Sequence, residues 1–136
     1  MLALLQNLSF GLRRGVVARL REIGVAVTYE EWALLTILRA DPGLTVSKLA
    51  RKSDRDPTTT TRTLDRLAKK DLVERRPDPK DRRALRLFLS RNGYEIYAAG
   101  APVVLDYEEE VLAALSETDR RALAASLETL WEARHS

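Results

Sequence analysis

The chain has 136 residues, 45% hydrophobic and 32% charged, with 23 Lys+Arg against 20 Asp+Glu and a formal net charge of +3. That length suits one domain with its own core, and the composition excludes a disordered chain. No apolar run nears the ~18 residues of a membrane span, the absence of cysteine excludes disulfides and thiolate metal sites, and the N-terminus lacks a secretory pattern, so a cytoplasmic protein is expected.

Leu2 to about Ile23 reads as a helix, because Leu5, Leu8, Leu12, Val16, Leu20 and Ile23 recur every three or four residues. Such a stripe serves either as core or as partner surface. Thr28 with Glu31 forms a capping-box pattern that opens a second helix from Tyr29 to about Ala40. Trp32, Leu34, Leu35, Ile37 and Leu38 make this helix apolar nearly all round, which predicts burial. Asp41-Pro42-Gly43 ends it, and Leu44 to Val46 offers a short strand.

Thr45 to Ser90 is the part that the rest serves. Thr45 can cap a short helix with Val46, Leu49 and Ala50 on its apolar face, running to about Lys52. Ser53-Asp54-Arg55 is a tight connection, so the next helix must cross steeply, as in a helix-turn-helix. Asp56 is a good N-cap and Pro57 fits the first helical position. Thr60, Leu64, Leu67 and Ala68 then share one face, with Thr58, Thr61, Arg62, Asp65, Arg66, Lys69 and Lys70 mostly off it. The threonine run is a poor helix former, tolerable where a hydroxyl can cap. Short hydroxyls and arginines at a helix N-terminus also suit phosphate and base-edge contacts.

A hairpin follows. Leu72 to Arg76 is the outgoing strand, Pro77-Asp78-Pro79-Lys80-Asp81 is turn chemistry, and Ala84 to Leu89 returns with Leu85, Leu87 and Leu89 alternating inward. Arg75, Arg76, Lys80, Arg82 and Arg83 crowd the tip. A charged loop on its own is an ordinary solvated surface. Directly after a candidate recognition helix it becomes an arm for a minor groove or a phosphate backbone. Residues 45–90 hold 14 Lys+Arg and 7 Asp+Glu, against 9 and 13 in the rest of the chain. The charge is therefore segregated, +7 against −4, which is the footprint of a phosphate-binding surface.

Ser90 can cap a long helix to about Leu115, with a kink or break expected at Gly100-Ala101-Pro102. Asp106, Glu108, Glu109 and Glu110 read as a solvated acidic face. Ser116 with Asp119 suggests a cap for a final helix to about Arg134, with Leu123, Leu127, Leu130 and Trp131 as its buried edge. Apolar stripes on helices at both ends are what a two-fold dimer interface needs.

Two segments resemble the MarR (multiple antibiotic resistance regulator) family. Thr61-Arg62-Thr63-Leu64-Asp65-Arg66-Leu67, leading into Leu72-Val73-Glu74-Arg75, is similar to that family's recognition helix and its run into the wing. Asp81-Arg82-Arg83-Ala84-Leu85-Arg86-Leu87-Phe88-Leu89-Ser90 resembles its wing signature and is the more specific match. The resemblance implies a mainly α (α+β) fold: a winged helix-turn-helix with N- and C-terminal dimerisation helices. It covers residues 1–136 as a single domain, with 28–90 as the winged core and 1–24 and 91–136 as dimerisation helices. It places Thr61, Arg62 and Arg66 in a major groove, Thr58 near phosphate and Arg83 in a minor groove, with Asp81 bracing Arg83 by a salt bridge. Arg82 joins them as a wing-tip contact. Pro57 and the threonine run are less typical of the family, so base preference does not transfer.

The leading expectation is a homodimeric regulator that holds double-stranded DNA at a pseudo-palindrome and represses by covering a promoter. A small apolar or phenolic effector would bind between the dimer helices and the winged helix, beside Tyr29, Trp32, Tyr94 and Tyr97. The alternative is a winged-helix protein–protein module without specific DNA binding, since fold does not fix function. An enzyme finds no support: the only histidine is His135, there is no Gly-rich phosphate loop, and neither metal site nor cofactor is indicated.

Overall fold

The computed structural model describes residues 1–136, which fall into two compact units, Met1–Val104 and Leu105–Ser136. The element order is α1 (Leu2–Glu22), α2 (Tyr29–Ala40), β1 (Leu44–Thr45), α3 (Val46–Ser53), α4 (Pro57–Lys69), β2 (Val73–Pro77), β3 (Leu85–Leu89), α5 (Arg91–Leu112) and α6 (Glu117–His135). No helix is long and apolar enough to cross a membrane.

Local chemistry sets the helix starts. The Thr28 hydroxyl accepts from the Glu31 N–H at 3.1 Å and the Glu31 carboxylate accepts from the Thr28 N–H at 2.9 Å, a complete capping box for α2. Thr45 caps α3 through the Lys48 N–H at 3.3 Å. Asp56 caps α4 through the Thr59 N–H at 2.8 Å and takes the Thr59 hydroxyl at 2.7 Å. Both Thr59 donors hold the Asp56 carboxyl below the ordinary carboxylate value. Between α3 and α4 the chain turns at Asp54, which is left-handed at φ 54°, and the Arg55 N–H closes onto the Ala50 carbonyl at 2.9 Å.

The sheet is antiparallel in the order β1-β3-β2, with Leu44 opposite Leu87 and Val73 opposite Leu89. Leu87 and Leu89 point into the core, but Leu85 is 42% exposed. It pairs with Pro77 at the outer end of the hairpin, beyond the helices that would cover it. Pro77 itself closes β2 instead of belonging to the turn, which an edge strand tolerates. Leu35 and Leu38 of α2, Leu49 of α3, Leu64 and Leu67 of α4 and Leu87 of β3 are fully buried and form the core.

The stripe of α1 divides. Val16 and Leu20 are buried within the chain, whereas Leu5, Leu8 and Leu12 stay exposed. Leu20 meets Trp32 at Gly100 of α5, where an added Cβ would lie 2.7 Å from each of the two side chains. Helix α5 is continuous across Pro102 and ends at Leu112, so the expected break does not occur. Proline removes one bond, to the carbonyl of Ala98, and Ala98 is exposed, so water can satisfy that carbonyl.

In the second unit, Ser116 caps α6 through the Asp119 N–H at 3.1 Å. Arg120 of α6 donates to the Leu112 carbonyl at 3.1 Å and to the Glu109 carboxylate at 3.0 Å, tying the turn together. No residue of α6 is buried, and Leu123, Leu127, Leu130 and Trp131 are all exposed. The stripe expected as a buried edge is an uncovered apolar face in the single chain.

Back in the first unit, one junction joins α4, the hairpin and α5. Asp71 is left-handed at φ 59°, its carbonyl accepts from the Ser90 hydroxyl at 2.6 Å, and the Leu72 carbonyl accepts from the Ser90 N–H at 3.0 Å. A Cβ at Gly93 would sit 2.1 Å from that Leu72 carbonyl oxygen, which is backbone and cannot swing aside. Gly93→Ala should therefore cost about 3 kcal/mol, at the upper end of overpacking penalties, read as a lower denaturation midpoint with an unchanged slope. A midpoint equal to the parent's would show that the junction yields freely.

Candidate nucleic-acid interface

Helix α4 presents two faces. Thr60, Thr63, Leu64 and Leu67 are buried against the body. Thr63 lies outside the stripe of Thr60, Leu64, Leu67 and Ala68 expected from the sequence, yet it is buried beside Thr60. The hydroxyls are satisfied within the helix, Thr60 donating to the Asp56 carbonyl at 2.9 Å and Thr63 to the Thr59 carbonyl at 3.1 Å. Thr59 and Thr60 of the threonine run thus have local partners for their hydroxyls, and Thr60 together with Thr63 serves as core.

The opposite face carries Thr58, Thr61, Arg62 and Arg66, all exposed. Arg66 donates to the Thr63 hydroxyl at 3.2 Å, while the Thr61 hydroxyl and the Arg62 guanidinium have no bond within the chain. Asp65, on the same helix, holds Arg75 of β2 in an ion pair, which fixes the hairpin's root to the recognition helix. Arg75 is thereby a spacer between wing and helix and not a free wing-tip cation.

At the tip, Asp78 is the organising residue. Its carboxylate accepts from the Lys80 N–H at 2.8 Å and from the Arg86 guanidinium at 2.9 Å. These bonds, the Lys80 amide first and then Arg86, hold its carboxyl below the ordinary carboxylate value. Asp81 reaches Arg83 through the main chain, accepting its backbone N–H at 3.0 Å, so the Arg83 guanidinium stays open. Arg82 and Arg83 are both exposed. Arg76 packs over the Phe88 ring at 4.3 Å and pairs with Glu74, so it is a strand-face residue. Lys48 and Arg51 of α3 add open, exposed side-chain cations that motif matching did not single out; their only signal in the sequence is the regional charge excess.

The four aromatics do not converge. Trp32 is buried and stacks on Tyr97 with centroids 5.0 Å apart. Tyr94 is 41% exposed with the Arg39 guanidinium 5.6 Å from its ring. Tyr29 alone of the four lines a cleft of about 740 Å³ formed by α1, the 26–30 segment and Lys70. Arg13, on the α1 wall, lies over the Tyr29 ring at 5.2 Å.

Since the Asp78 carboxyl is depressed in the folded chain, its hold on the wing is complete above the ordinary carboxylate pKa and is lost as pH falls through the lowered one. Asp78→Ala should reproduce that loss at neutral pH: the Lys80 amide should exchange hydrogen at least about tenfold faster, with the core amides of α2 unchanged. Equal exchange at Lys80 would place control of the turn elsewhere.

Residues 27–85 match the model of the MarR family. A protein of Thauera aromatica, assigned as a candidate transcriptional regulator of the hcr operon, is 29% identical over 131 residues, covering 92% of this chain and 79% of that one. A mutant MarR from E. coli, solved with operator DNA, superposes with a TM-score of 0.86 at 25% identity, over 94% of this chain and 91% of that one. MepR from S. aureus, in a DNA complex, gives 0.85 at 23% identity over 96% of each chain. The chain thus matches the MarR family's model over its winged core and shares the fold of MarR-type regulators along nearly its whole length.

Proposed function

We propose that the chain works as a homodimeric repressor of a pseudo-palindromic operator, in the cytoplasm, and is released by a small ligand. The match to the MarR model over residues 27–85 and the likeness to a transcriptional regulator support a DNA-binding regulator with no catalytic role. The observation that carries the finer reading is the open face of α4. Thr61 and Arg62 leave their side-chain donors unused, on a helix whose other face is locked into the core. A rigid helix with free donors is suited to base edges, and an arginine there suits guanine. Arg83 and Arg82 on the Asp78-held tip then fit the adjacent minor groove or backbone. Thr58, at the α4 start, fits a phosphate.

The exposed apolar faces supply the case for the dimer. Leu5, Leu8 and Leu12 of α1 and Leu123, Leu127 and Leu130 of α6 are uncovered in the single chain. Uncovered apolar stripes on two helices are suited to an interface, and two recognition helices related by a two-fold axis read half-sites ~10 bp apart. The ligand fits the α1–Tyr29 cleft, whose volume of about 740 Å³ suits a compact organic molecule.

Fluorescence anisotropy against the duplex upstream of the protein's own gene tests this, with random duplex of equal length as control. Affinity should exceed the control's and fall roughly a thousandfold between 50 and 200 mM salt. Binding equal to the control's would overturn the operator reading. Arg83→Ala should weaken binding about tenfold with no change in melting, because the side chain supports no core. For the dimer, Leu8→Asp is the informative change, since Leu8 is 52% exposed and Leu20 is part of the chain's own core. Light scattering should return a monomer mass for that variant, and a dimer mass would remove α1 from the interface.

A further inference from the structure

We propose that Leu85 is an apolar contact between the wing and the duplex, packing on the deoxyriboses beside the phosphates that the wing-tip arginines meet, and adding affinity that salt does not weaken. This rests on the operator reading above. Leu85 pairs with Pro77, and cross-strand partners share a face of the sheet. Along that face the pairs run outward from Val73–Leu89 through Arg75–Leu87 to Pro77–Leu85. Val73, Leu87 and Leu89 are buried, whereas Leu85 is 42% exposed and Pro77 is exposed with it.

The middle pair shows where this face looks. Arg75 reaches across to Asp65 of α4 in an ion pair. Asp65 follows Thr61 by four residues and Arg62 by three, so it shares their side of the helix. The inner face of the wing is therefore turned toward the open recognition face. Pro77 and Leu85 stand two residues farther out, about 7 Å beyond the ion pair at strand rise, where no helix covers them. A duplex seated on Thr61 and Arg62 and reaching the wing tip passes over this pair.

A lone exposed leucine is ordinary on a protein surface. This one is set apart by its surroundings. On the opposite face of the hairpin Phe88 is sheltered, with the Arg76 guanidinium 4.3 Å from its ring and the Gly43 backbone against its edge. The inner face gives Leu85 no such cover. Within five residues of it the tip carries Lys80, Arg82 and Arg83, all exposed. The nearby carboxylates of Asp78 and Asp81 are already turned to Arg86 and to main-chain N–H groups of the turn. An apolar spot with a cationic rim fits a polyanion with apolar sugars, whereas lysine is depleted in protein–protein interfaces. With more than half of its surface covered, Leu85 does not penetrate a base step as a wedge does. It lies against the groove wall.

The test measures duplex affinity by anisotropy for the parent, Leu85→Thr, Leu85→Met and Arg83→Ala, on the upstream duplex and the random control, between about 50 and 200 mM salt. Threonine keeps the strand propensity, and methionine keeps the apolar bulk. Leu85→Thr should lose about fivefold at every salt concentration, with the parent's dependence on salt. Leu85→Met should stay within about twofold of the parent. Arg83→Ala, by contrast, should lower the slope of log affinity against log salt by about 0.9, the share of one phosphate. Parent affinity in Leu85→Thr overturns the contact, and so does an equal loss in Leu85→Met. A loss that comes with a shallower salt slope, or with faster exchange of the Lys80 amide, traces the effect to the arginines or to the turn and also overturns it. If the parent binds the upstream duplex no better than the control, the operator reading falls and this inference falls with it.

Discussion

The interface depends on a few main-chain bonds around Asp71 and Leu72. Four elements meet there: the end of α4, the root of β2, the last residue of β3 and the first turn of α5. The Leu72 N–H closes onto the Leu67 carbonyl at 2.9 Å, and the Ser90 hydroxyl both donates to the Asp71 carbonyl and accepts the Gly93 N–H. A buried carbonyl without a partner costs more than a hydrogen bond gains. These groups therefore admit little variation, and the absence of a side chain at Gly93 lets α5 sit directly on the strand. The angle between recognition helix and wing is set here, by backbone and not by any of the basic residues that the duplex would meet.

That division lets the exposed chemistry be simple. Because α4 is held by the face of Leu64 and Leu67 and by self-satisfied threonine hydroxyls, its other face carries no structural duty. The Asp65–Arg75 pair and the Asp78–Arg86 pair each use a carboxylate to hold one arginine in the structure. Exposed ion pairs contribute little to stability, so their contribution is geometric. They fix which arginines are fasteners, Arg75 and Arg86, and which remain open, Arg62, Arg82 and Arg83.

The legible parts of the sequence were the local ones. Thr28 with Glu31, Asp56 before Pro57 and Ser116 before Asp119 announce their helices because a cap and its partner lie within four residues. The hairpin was visible from Leu87 and Leu89 and from turn residues at fixed offsets, and the wing signature pointed to the family whose model matches residues 27–85. What escaped needed distant partners. Lys70 read as one more surface cation because Glu31 and Ala26 lie 39 and 44 residues away. Asp78 read as turn filler because its partner Arg86 sits across the hairpin. The uniform stripe of α1 gave no sign of where its covered part ends, since that point is set by Gly100 and Trp32 on two other helices.

The uncovered faces tie stability to function. A helix such as α6, with no buried residue, gains little from its own chain, and short helices in water are marginal without tertiary support. Burial of Leu123, Leu127 and Leu130 against a second copy would supply that support, so the proposed dimer is a folding partner as well as a binding partner, and its stability depends on protomer concentration. The same association gives specificity. One recognition helix reads too few base pairs to select a site in a genome, whereas two helices held at a fixed spacing read both halves of a palindrome in a single event.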